Sequence, residues 1–306
     1  MGDIAAIKAT NLTKSYGRSR GIEDVSLDVH PGEVMGLVGE SGAGKSTFLR
    51  ALLNFIFPTA GSLEVFGRSV VKDPVEVRRR STYLPGEFVV PARLTGHQTL
   101  RRYAFTRKQL SQGRIDDLAD RLKLDLSRKV GELSKGNKQK VALVLAFAPK
   151  ADLIVLDEPT SGLDPILQRT FAGMVKEVTA QGTTVILSSH VMSEVQHIAD
   201  RVALLRDGKL AAVGKVSELL QDSRRRGSVR PKRAEDVTAV AGQLSDIEQA
   251  SEIRVDDGEI SFACVGAVDP IVKLLAAFDI ESLDLAHADL EDAFFSDDAL
   301  ESGEVK

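Results

Sequence analysis

Short apolar runs alternate with segments of helical period along most of the first 220 residues. The clearest runs are residues 34–39, 153–156 and 183–187. Runs without polar alternation are typical of strands buried on both faces, as in a parallel sheet covered by helices. A helix is predicted from Gly44 to about residue 57, and another begins at Asp164-Pro165, where the acid caps the helix and proline lies in its first turn. The pattern therefore predicts an α/β core.

Other segments of the first 220 residues follow a different pattern. Residues 4–8, 25–29 and 63–66 are short, separated by turns and closer to antiparallel patterning. A helical insertion is predicted over residues 95–124, and a further helix over 136–148. We therefore expect the core to carry an antiparallel β subdomain and a helical subdomain at about residues 87–150.

The composition changes after residue 220. Residues 222–228 are polar and charged, so they are predicted to form a linker. Beyond them, helices are predicted over 234–244 and 270–278, and strands over 259–265 and 280–285. We expect two domains, residues 1–221 and 222–306, the second a small α+β unit with an acidic tail.

The composition is that of an ordinary globular protein and excludes several classes. Of 306 residues, 43% are hydrophobic and 27% are charged, which rules out wholesale disorder. The net charge of −4 argues against a generally basic nucleic-acid binder. Cys264 is the only cysteine, which excludes an internal disulfide and a cysteine-clustered zinc site and favours a reducing compartment. The longest apolar run, residues 141–148, is far shorter than the roughly 18 residues that cross a bilayer, so we expect no membrane span.

A phosphate-binding loop is predicted where the first apolar run meets its helix. Its residues match G-x-x-x-x-G-K-[ST] and are followed by threonine: Gly39, Glu40, Ser41, Gly42, Ala43, Gly44, Lys45, Ser46 and Thr47. Glycines let successive amides point inward, and a helix N-terminus favours anions. Lys45 is expected to reach the β and γ phosphates of a nucleotide, and the Ser46 hydroxyl to bind Mg²⁺. The alternative is an incidental glycine-rich turn, which the flanking strand and helix disfavour.

Two acids, Asp157 and Glu158, directly follow a buried strand. In doubly wound sheets, ligands bind at the carboxyl ends of the strands. Asp157 is suited to hold Mg²⁺, directly or through water, and Glu158 to orient and deprotonate an attacking water. The alternative is that both acids only cap the next helix, which the phosphate-binding loop on the same sheet disfavours.

Together these motifs resemble the ATP-binding subunit of ABC transporters, over about residues 4–220. Residues 133–137 (Leu-Ser-Lys-Gly-Asn) are similar to the LSGGQ signature, and residues 161–164 (Ser-Gly-Leu-Asp) to the D-loop. His190 stands where the family has its switch histidine, and Tyr16 where an aromatic residue stacks on adenine. The resemblance implies the P-loop NTPase fold of an ABC-type ATPase that uses ATP and Mg²⁺. It makes Lys45, Glu158 and His190 the expected catalytic residues.

The resemblance also implies how the protein assembles. Gly136 opens a helix, so Ser134 and the neighbouring amides form a second anion site, which in the family faces the γ-phosphate bound to the other subunit. Two copies would enclose two ATP molecules head to tail, with Asp164 of the D-loop among the nucleotide-binding residues. A separate transmembrane permease would be the partner. The location would be cytoplasmic, on the inner face of the cell membrane, and the direction export; the substrate is not identified, because the permease selects it.

The sequence departs from the family pattern at two places. Lys135 and Asn137 replace the usual glycine and glutamine of the signature, whose serine and second glycine are kept. Gly86 stands where the family usually has a glutamine that contacts Mg²⁺ and water, although the adjacent Glu87 could substitute. We therefore expect the anion site of the signature to be intact. We also expect Gly86→Gln to leave ATP affinity nearly unchanged and to alter mainly the rate of coupled hydrolysis. The alternative is that Ser46, Asp157 and phosphate oxygens already hold the metal well enough without this glutamine.

The predicted insertion and the segment before it are unusually basic. Between residues 78 and 114 there is one acid, Glu87, and these basic residues: Arg78, Arg79, Arg80, Arg93, Arg101, Arg102, Arg107, Lys108 and Arg114. The simplest explanation is a solvated helical face. A second is contact with anionic lipid headgroups beside the membrane subunit. Nucleic acid is disfavoured, because only Tyr103 and Phe105 interleave with the charges.

Two other functions are compatible with a nucleotide-binding chain. One is an ATP-gated factor that acts on ribosomes or DNA, which a single phosphate-binding loop and the lack of a sustained heptad repeat disfavour. The other is a binding switch with little hydrolysis, which only Gly86 suggests and Glu158 argues against.

The C-terminal region carries no catalytic set that we can identify. Residues 290–295 (Leu-Glu-Asp-Ala-Phe-Phe) resemble the closing segment of ATPase subunits from bacterial exporters. This favours a regulatory or dimer-stabilising role. Cys264 lies in an apolar strand and is expected to be a small core residue.

Overall fold

The chain divides into two compact units, Met1–Val213 and Gly214–Lys306. The structure is a computed structural model that describes residues 4–17, 19–106, 111–222, 225–286 and 290. Arg107, Lys108, residues 291–295 and the acidic tail, which the sequence analysis singled out, lie outside the described residues.

Strands occur in both units. In chain order they are β1 (Ile7–Tyr16), β2 (Ser19–Val29), β3 (Val34–Val38), β4 (Ala60–Val65), β5 (Arg68–Ser69), β6 (Ser81–Leu84), β7 (Leu153–Asp157), β8 (Thr184–Ser189), β9 (Arg201–Arg206), β10 (Lys209–Lys215), β11 (Arg225–Pro231), β12 (Ala250–Asp256), β13 (Glu259–Cys264) and β14 (Ile280–Leu285).

Helices alternate with these strands. In chain order they are α1 (Lys45–Leu52), α2 (Pro74–Arg80), α3 (Gly96–Thr106), α4 (Gln112–Arg121), α5 (Lys135–Phe147), α6 (Pro165–Ala180), α7 (Met192–Val195), α8 (Val216–Asp222), α9 (Asp236–Ser245) and α10 (Asp269–Leu275), with a 3₁₀ turn at Val130–Glu132. Among the described residues, no helix combines the length and the apolar character that a membrane span needs.

The central sheet of the first unit has the strand order β10-β9-β3-β8-β7-β6. The pairs β3/β8, β3/β9, β7/β8 and β6/β7 are parallel. Every residue of β3, β7 and β8 is buried, as their continuous apolar runs predict. Because these strands are parallel, Val38, Leu84, Asp157 and Ser189 end at the same edge of the sheet. The phosphate-binding loop and both predicted acids lie at this edge.

A second, antiparallel sheet has the order β2-β1-β4-β5, which confirms the predicted β subdomain. Its first strand is longer than predicted and continues to Tyr16 instead of ending near residue 8. The pairing of β1 with β2 shifts register between Ala9 and Leu12, where Asn11 has a φ of 46°. Such a bulge lets pairing continue while it breaks the alternation of apolar and polar residues. The sequence pattern therefore ends before the strand does.

Helix α1 ends at Leu52, so the predicted end near residue 57 is wrong. The N–H groups of Asn54 and Phe55 bond to the carbonyl oxygens of Ala51 and Arg50, and Asn54 has a φ of 52°. Asparagine tolerates this left-handed conformation and commonly ends helices. The apolar residues that follow continue the hydrophobic pattern although the helix has stopped.

The predicted helical subdomain is built from α3, α4 and α5. The Ser111 side chain caps α4 by accepting a hydrogen bond from the Arg114 N–H. Every residue from Val141 to Phe147 in α5 is buried, which explains why this segment is the longest apolar run of the chain. A helix that is apolar on all sides is one that packs on all sides.

The second unit has a β-α-β-β-α-β arrangement over residues 225–285. Its sheet order is β12-β13-β11-β14, and all three strand pairs are antiparallel. Val240 and Leu244 of α9 and Ile271 and Leu275 of α10 pack with Phe262 of β13 in one core. This is the small α+β unit that the sequence predicts.

The predicted linker is wrong in its second half, because residues 225–228 lie in β11, a central strand of that sheet. Gly227, Val229 and Pro231 are buried, whereas Ser228 and Arg230 between them are partly exposed and Arg226 before them is exposed. The segment thus has the composition of a linker but the alternation of a strand with one solvated face. Cys264 is buried in this core, as predicted, and burial raises the pKa of its thiol.

Candidate functional site

The predicted phosphate-binding loop connects β3 to α1, and its backbone requires glycine at two positions. Gly39 has a φ of 149° and Gly44, the N-cap of α1, a φ of 106°. A Cβ at Gly39 would lie 2.2 Å from the Leu205 carbonyl oxygen, and one at Gly44 would lie 2.7 Å from Ile22 Cγ2. Only glycine combines these dihedral angles with such close packing. The loop is therefore held directly against the strands around it.

Lys45 is the first residue of α1 and is only 6% exposed. Its Nζ donates hydrogen bonds to the carbonyl oxygens of Gly39 at 2.6 Å and Glu40 at 3.0 Å. The same atom lies 3.8 Å from Glu158 Oε1. The pKa of Lys45 is lowered because burial disfavours the charged form, although the carboxylates of Glu158 and Asp157 oppose this shift. The ammonium is thus held between the loop and the predicted catalytic acid.

Ser46 and Asp157 meet across the carboxyl edge of the central sheet. The Ser46 hydroxyl donates to Asp157 Oδ1 at 3.0 Å, and the Ser188 hydroxyl of β8 donates to the same oxygen at 2.7 Å. Asp157 is 1% exposed. The described residues hold no group of three or more His, Cys, Asp or Glu side chains placed to bind a metal. A hydroxyl beside a carboxylate nevertheless fits Mg²⁺, which usually takes one or two protein oxygens together with water and phosphate oxygens.

Glu158 adopts an unusual backbone conformation beside Asp157. Its φ is 51°, in the left-handed region. Its N–H donates to Ser188 Oγ at 3.0 Å, and its Oε2 lies 2.8 Å from His190 Nδ1. His190, 59% exposed against 24% for Glu158, stands at the mouth of the site. The turn ends the extended conformation of β7, so the Glu158 side chain is released from the strict alternation of a strand and reaches both Lys45 and His190.

Lys45, Ser46, Glu158 and His190 line a single cleft of about 450 Å³, and Asp157 is joined to it by its hydrogen bond with Ser46. Its lining residues are Ser41, Gly42, Gly44, Lys45, Ser46, Thr47, Glu158 and His190. A larger cavity of about 820 Å³ lies at the opposite edge of the sheet, where Arg80 pairs with Asp152 before β7. None of the predicted catalytic, nucleotide-binding or metal-binding residues lines it. The cleft therefore unites most of the loop with both predicted catalytic partners of Lys45.

Gly86 follows β6 and lies beside Asp157. A Cβ placed on Gly86 would stand 3.4 Å from Asp157 Oδ2. The neighbouring Tyr83 ring is half-buried, and its pKa is raised by burial and by the charge of Asp157, which a hydrogen bond from Arg50 partly offsets. Glu87 is exposed. The loop thus reaches Asp157, the acid predicted to bind the metal, but Gly86 presents no side chain there.

Seven predicted nucleotide-binding residues do not line the cleft: Gly39, Glu40 and Ala43 within the loop, and Tyr16, Ser134, Gly136 and Asp164 outside it. Ser134 is exposed and caps α5, with its hydroxyl accepting from the Asn137 N–H at 3.3 Å. Gly136 packs against the D-loop, since a Cβ there would lie 2.7 Å from the Gly162 carbonyl oxygen. The exposed Ser134 at the N-terminus of α5 therefore takes no part in lining the cleft of its own chain.

Asp164 and Tyr16 have local roles in the isolated chain. Asp164 caps α6, accepting hydrogen bonds from Ile166 N at 3.0 Å and Leu167 N at 2.9 Å. The Tyr16 ring is 44% exposed, and Lys14 Nζ lies 5.2 Å from its centroid. The Asp164 carboxylate oxygen Oδ1 is thus used within its own helix, whereas the tyrosine presents a free aromatic surface.

Three polar residues of the site escaped the sequence analysis: Ser188, Gln139 and Glu194. Ser188 bridges the two acids, as described above. Gln139 donates to the carbonyl oxygens of Glu158 and Pro159, and Glu194 of α7 accepts from Thr160 and, at 2.8 Å, from Gln168. The only signal for them is proximity in sequence to a motif, since Ser188 precedes His190 by two residues and Gln139 follows Gly136 by three.

The chain matches the protein-family model described as ABC transporter over residues 22–161. It is 36% identical over 212 residues to the ABC transporter ATP-binding protein NatA of Bacillus subtilis (strain 168), covering 67% of this chain and 86% of that protein. It is 35% identical over 213 residues to the bacitracin transport ATP-binding protein BcrA of Bacillus licheniformis, covering 67% of this chain and 68% of that protein. With the Nod factor export ATP-binding protein I of Burkholderia orbicola (strain AU 1054), 30% identity extends over 277 residues, 89% of this chain and 90% of that one.

Solved structures of the same kind share the fold. A structure of the ATP-binding subunit of an ABC transporter has a TM-score of 0.64 and 30% identity, covering 70% of this chain and 91% of that chain. A dimeric structure of a bacterial ABC transporter cassette has a TM-score of 0.63 and 26% identity, covering 69% of this chain and 98% of that chain.

Proposed function

The chain belongs to the family of ABC transporter ATP-binding proteins, and from this premise we propose that two copies of it enclose two ATP molecules and hydrolyse them to drive export through a separate permease. Membership of the family confirms the predicted fold class and the predicted ATPase activity. The observation that carries the finer proposal is that Lys45, Ser46 and the Glu158–His190 pair line one cleft, with Asp157 hydrogen-bonded to Ser46.

The loop and Lys45 bind the phosphates in this proposal. The N-terminus of α1 supplies amide donors and a partial positive charge. The Lys45 ammonium now bonds to two carbonyl oxygens of its own loop. Phosphate oxygens would take over those bonds, and their negative charge would stabilise the ammonium that burial disfavours.

Ser46 and Asp157 would hold Mg²⁺ with the nucleotide. Bound there, Mg²⁺ neutralises the charge that develops on the phosphate oxygens. The Ser46–Asp157 hydrogen bond would open, and the Ser188 hydroxyl would keep Asp157 oriented. Such an outer hydrogen bond fixes the direction in which a ligand oxygen points.

Glu158 and His190 carry the hydrolysis in this proposal. The Glu158 carboxylate accepts a proton from water as the water oxygen attacks the γ phosphorus. The bond from phosphorus to the bridging oxygen breaks, which leaves ADP and inorganic phosphate. His190 lies 2.8 Å from Glu158, and its exposed ring is placed to donate a hydrogen bond to the γ-phosphate and to hold the carboxylate.

The open N-terminus of α5 supports completion of the site by a second copy. Ser134 is exposed and does not line the cleft of its own chain. In a two-fold dimer, each subunit would offer Ser134, Gly136 and nearby amides to the γ-phosphate bound by its partner. Lys135, also exposed, would add a positive charge there. Tyr16 would stack on adenine, and the D-loop with Asp164 would lie at the interface.

The names of two relatives support the direction and the site of action in this proposal. BcrA is named for bacitracin transport and the Burkholderia relative for Nod factor export, and we extend export alone to this chain. The chain would then sit at the cytoplasmic face of the cell membrane beside its permease. The alternative of a factor that acts on ribosomes or DNA has no support from these relatives.

Part of the basic segment would face the lipid in that position. Arg80 pairs with Asp152, Arg79 with Glu76, and Arg114 lies 3.7 Å from Glu177, so these charges are engaged within the protein. Arg101 and Arg102 of α3 are exposed and form no ion pair among the described residues. We assign contact with anionic headgroups to α3 and not to the whole basic segment.

Glu158→Gln tests the proposal in the full chain. The amide keeps the shape of the side chain but cannot accept a proton, so ATP should bind, the dimer should persist and turnover should fall by about 100-fold or more. Light scattering with ATP and Mg²⁺ should show a doubled molar mass, and a phosphate-release assay should show the loss of turnover. Native turnover by the variant would remove Glu158 from its role, and a monomer at saturating ATP would overturn the sandwich dimer.

A further inference from the structure

Gln139 links the helix that begins at the signature to the backbone of the predicted catalytic acid. It lies in α5, about one turn after Lys135, and is 6% exposed. Its Nε2 donates to the carbonyl oxygen of Pro159 at 2.9 Å and to that of Glu158 at 3.2 Å. Because both partners only accept hydrogen bonds, the amide nitrogen of Gln139 must face them.

The backbone of Glu158 needs such support. Its φ of 51° is a conformation that residues with a side chain adopt rarely and keep only where their surroundings hold them. Ser188 holds its N–H and His190 contacts its carboxylate, and both belong to β8 or follow it. The Glu158 carbonyl oxygen accepts a 3.3 Å hydrogen bond from the Ser161 N–H of the following turn and one from Gln139. Gln139 is the side chain that reaches this oxygen from a different element.

We propose that Gln139 is a positioning residue for Glu158, through which the signature helix controls the aim of the catalytic carboxylate. This inference rests on the proposed function, in which Glu158 accepts the proton of the attacking water. Gln139 does not line the cleft, so in this proposal it acts on the reaction only through Glu158. It acts by fixing the carbonyl oxygen, and with it the left-handed turn that directs the side chain into the cleft.

In the dimer, α5 of one subunit would complete the nucleotide site of its partner. The arrangement makes ATP hydrolysis in the first subunit sensitive to the state of that partner site. The first turn of α5 would contact the nucleotide of the partner, and the next turn holds Glu158 of the same chain through Gln139. A shift of α5 when the dimer closes therefore reaches Glu158 by one side chain. A misplacement of a reacting group by about 1 Å can lower a rate about 100-fold, so a small movement suffices.

Gln139→Met tests the inference, since methionine has a similar length and no N–H donor. In the full chain we expect the kcat for ATP hydrolysis to fall by about 10- to 100-fold, while KM and nucleotide affinity stay within about twofold. Lys140→Met, the next position on the same helix, should leave kcat and KM unchanged. In a Glu158→Gln background, adding Gln139→Met should change the residual rate little, because the two residues act as one unit.

Gln139→Glu provides a readout that a purely structural role would not move. An ionised carboxylate would repel the two carbonyl oxygens, whereas the protonated form has one O–H to donate. Burial raises the pKa of an introduced carboxyl, so the loss of rate relative to the parent protein should shrink as the pH falls from about 8 to about 6. The kcat of Gln139→Met, divided by the kcat of the parent protein, should not change over that pH range.

Several outcomes would overturn the inference. One is native turnover by Gln139→Met, and another is a fall in its nucleotide affinity large enough to account for its loss of rate. A third is a second full loss of rate when Gln139→Met is added to Glu158→Gln. The fourth is a loss of rate in Gln139→Glu that does not depend on pH. Native turnover by Glu158→Gln alone would instead overturn the assignment of Glu158, whatever the Gln139 variants do. Failure of the inference and failure of the proposed function are thus distinguishable.

Discussion

The Ser46 hydroxyl donates a 3.0 Å hydrogen bond to Asp157 Oδ1, although 111 residues separate the two in sequence. Ser46 lies in the first turn of α1 after β3, and Asp157 is the last residue of β7. Strand β8 lies between β3 and β7 and pairs with both in parallel. The contact therefore spans the width of one strand, and Ser188 of that strand bonds to the same Asp157 oxygen.

Asp157→Asn should weaken the contribution of Mg²⁺ to nucleotide binding. An amide keeps the hydrogen bond from Ser188 but loses the negative charge that the metal needs. We expect affinity for ATP without Mg²⁺ to change little, and the gain on adding Mg²⁺ to fall by about 10-fold or more. Titrations of a fluorescent ATP analogue with Mg²⁺ and with a chelator measure both values.

Asp152→Asn is the matched control, because Asp152 precedes the same strand at its other end and pairs with Arg80. It should leave the Mg²⁺ dependence unchanged. An equal loss in both variants would mean that the effect arises from the stability of β7 and not from the metal site.

Gly86→Gln should alter coupled hydrolysis and spare nucleotide affinity. A Cβ at Gly86 meets Asp157 Oδ2 at an ordinary contact distance of 3.4 Å, so the longer side chain can enter the site without displacing the acid. We expect nucleotide affinity to stay within about twofold, while hydrolysis with the permease changes by about threefold or more. Gly113→Gln is the control, since nothing lies within 4 Å of a Cβ there. A large change in affinity with unchanged turnover would refute this prediction.

Two inactive variants should restore activity when they are mixed, if Ser134 acts in trans. Ser134→Arg blocks the signature side of the site, and Lys45→Ala disables the phosphate-binding loop. A mixed dimer has one site with both native halves, so an equal mixture should regain about one quarter of native turnover if subunits exchange freely. Phosphate release from the separate proteins and from their mixture measures this. No recovery despite proven exchange would place both residues in the same site of one chain.

Charge reversal on α3 should weaken membrane association. Arg101→Glu with Arg102→Glu replaces two exposed positive charges that we place near the headgroups. Each basic residue near an anionic surface contributes about 1 kcal/mol, so binding to permease vesicles rich in anionic lipid should fall by at least about 10-fold. Arg68→Glu with Lys72→Glu, also exposed, makes the same change of charge elsewhere.

The control pair should bind those vesicles as the parent protein does. Vesicles of neutral lipid that contain the permease separate the two sources of affinity: the α3 variant should bind them normally. Weaker binding there would assign Arg101 and Arg102 to the permease, and unchanged binding to anionic vesicles would refute the lipid contact.

Glu177→Gln should lower stability in a pH-dependent way. Arg121 donates to Glu177 Oε2 at 2.7 Å and joins α4 to α6. This hydrogen bond, together with the charges of Arg121 and Arg114, lowers the pKa of Glu177. A lowered folded-state pKa means that the stabilisation is present above the unfolded value, about 4.3, and is lost as the pH falls through the lower value.

Thermal unfolding from pH 7 to pH 3 measures this effect. At pH 7 the midpoint temperature of unfolding should be lower for Glu177→Gln than for the parent protein. The difference between the two midpoint temperatures should disappear below about pH 4. Asp120→Asn, an exposed acid of α4, is the control and should show no gap at either pH. A gap that persists at pH 3 would mean that the loss has another cause than the charge of Glu177.

Much of the fold could be predicted from the sequence, because the strands of the parallel sheet are buried on both faces. The apolar character of residues 34–39 and 153–156 is enough to predict β3 and β7. The errors lie where burial is one-sided or irregular. Residues 225–228 lie in a strand that buries one face only, and β1 passes a bulge at Asn11 that breaks its alternation. A helix end such as Leu52 depends on one left-handed residue, which the apolar pattern does not record.

The basic segment shows the same limit for function. Its nine charges are alike in the sequence, yet Arg80 and Arg79 are paired within the protein and Arg101 and Arg102 are exposed. Acids from distant parts of the chain, such as Asp152, decide which arginines remain available. Spacing along the chain cannot show that choice.

The phosphate-binding loop and the order Asp157-Glu158 were determined by the sequence itself, because binding there depends on consecutive backbone groups and on adjacent residues. The contacts that give these groups their direction were decided by the tertiary structure. Ser188 reaches Asp157, His190 reaches Glu158 and Gln139 reaches the Glu158 carbonyl oxygen only because the strand order places β8 beside β7 and α5 against them. Such contacts depend on side chains from separate elements, and a linear pattern carries no distance between elements.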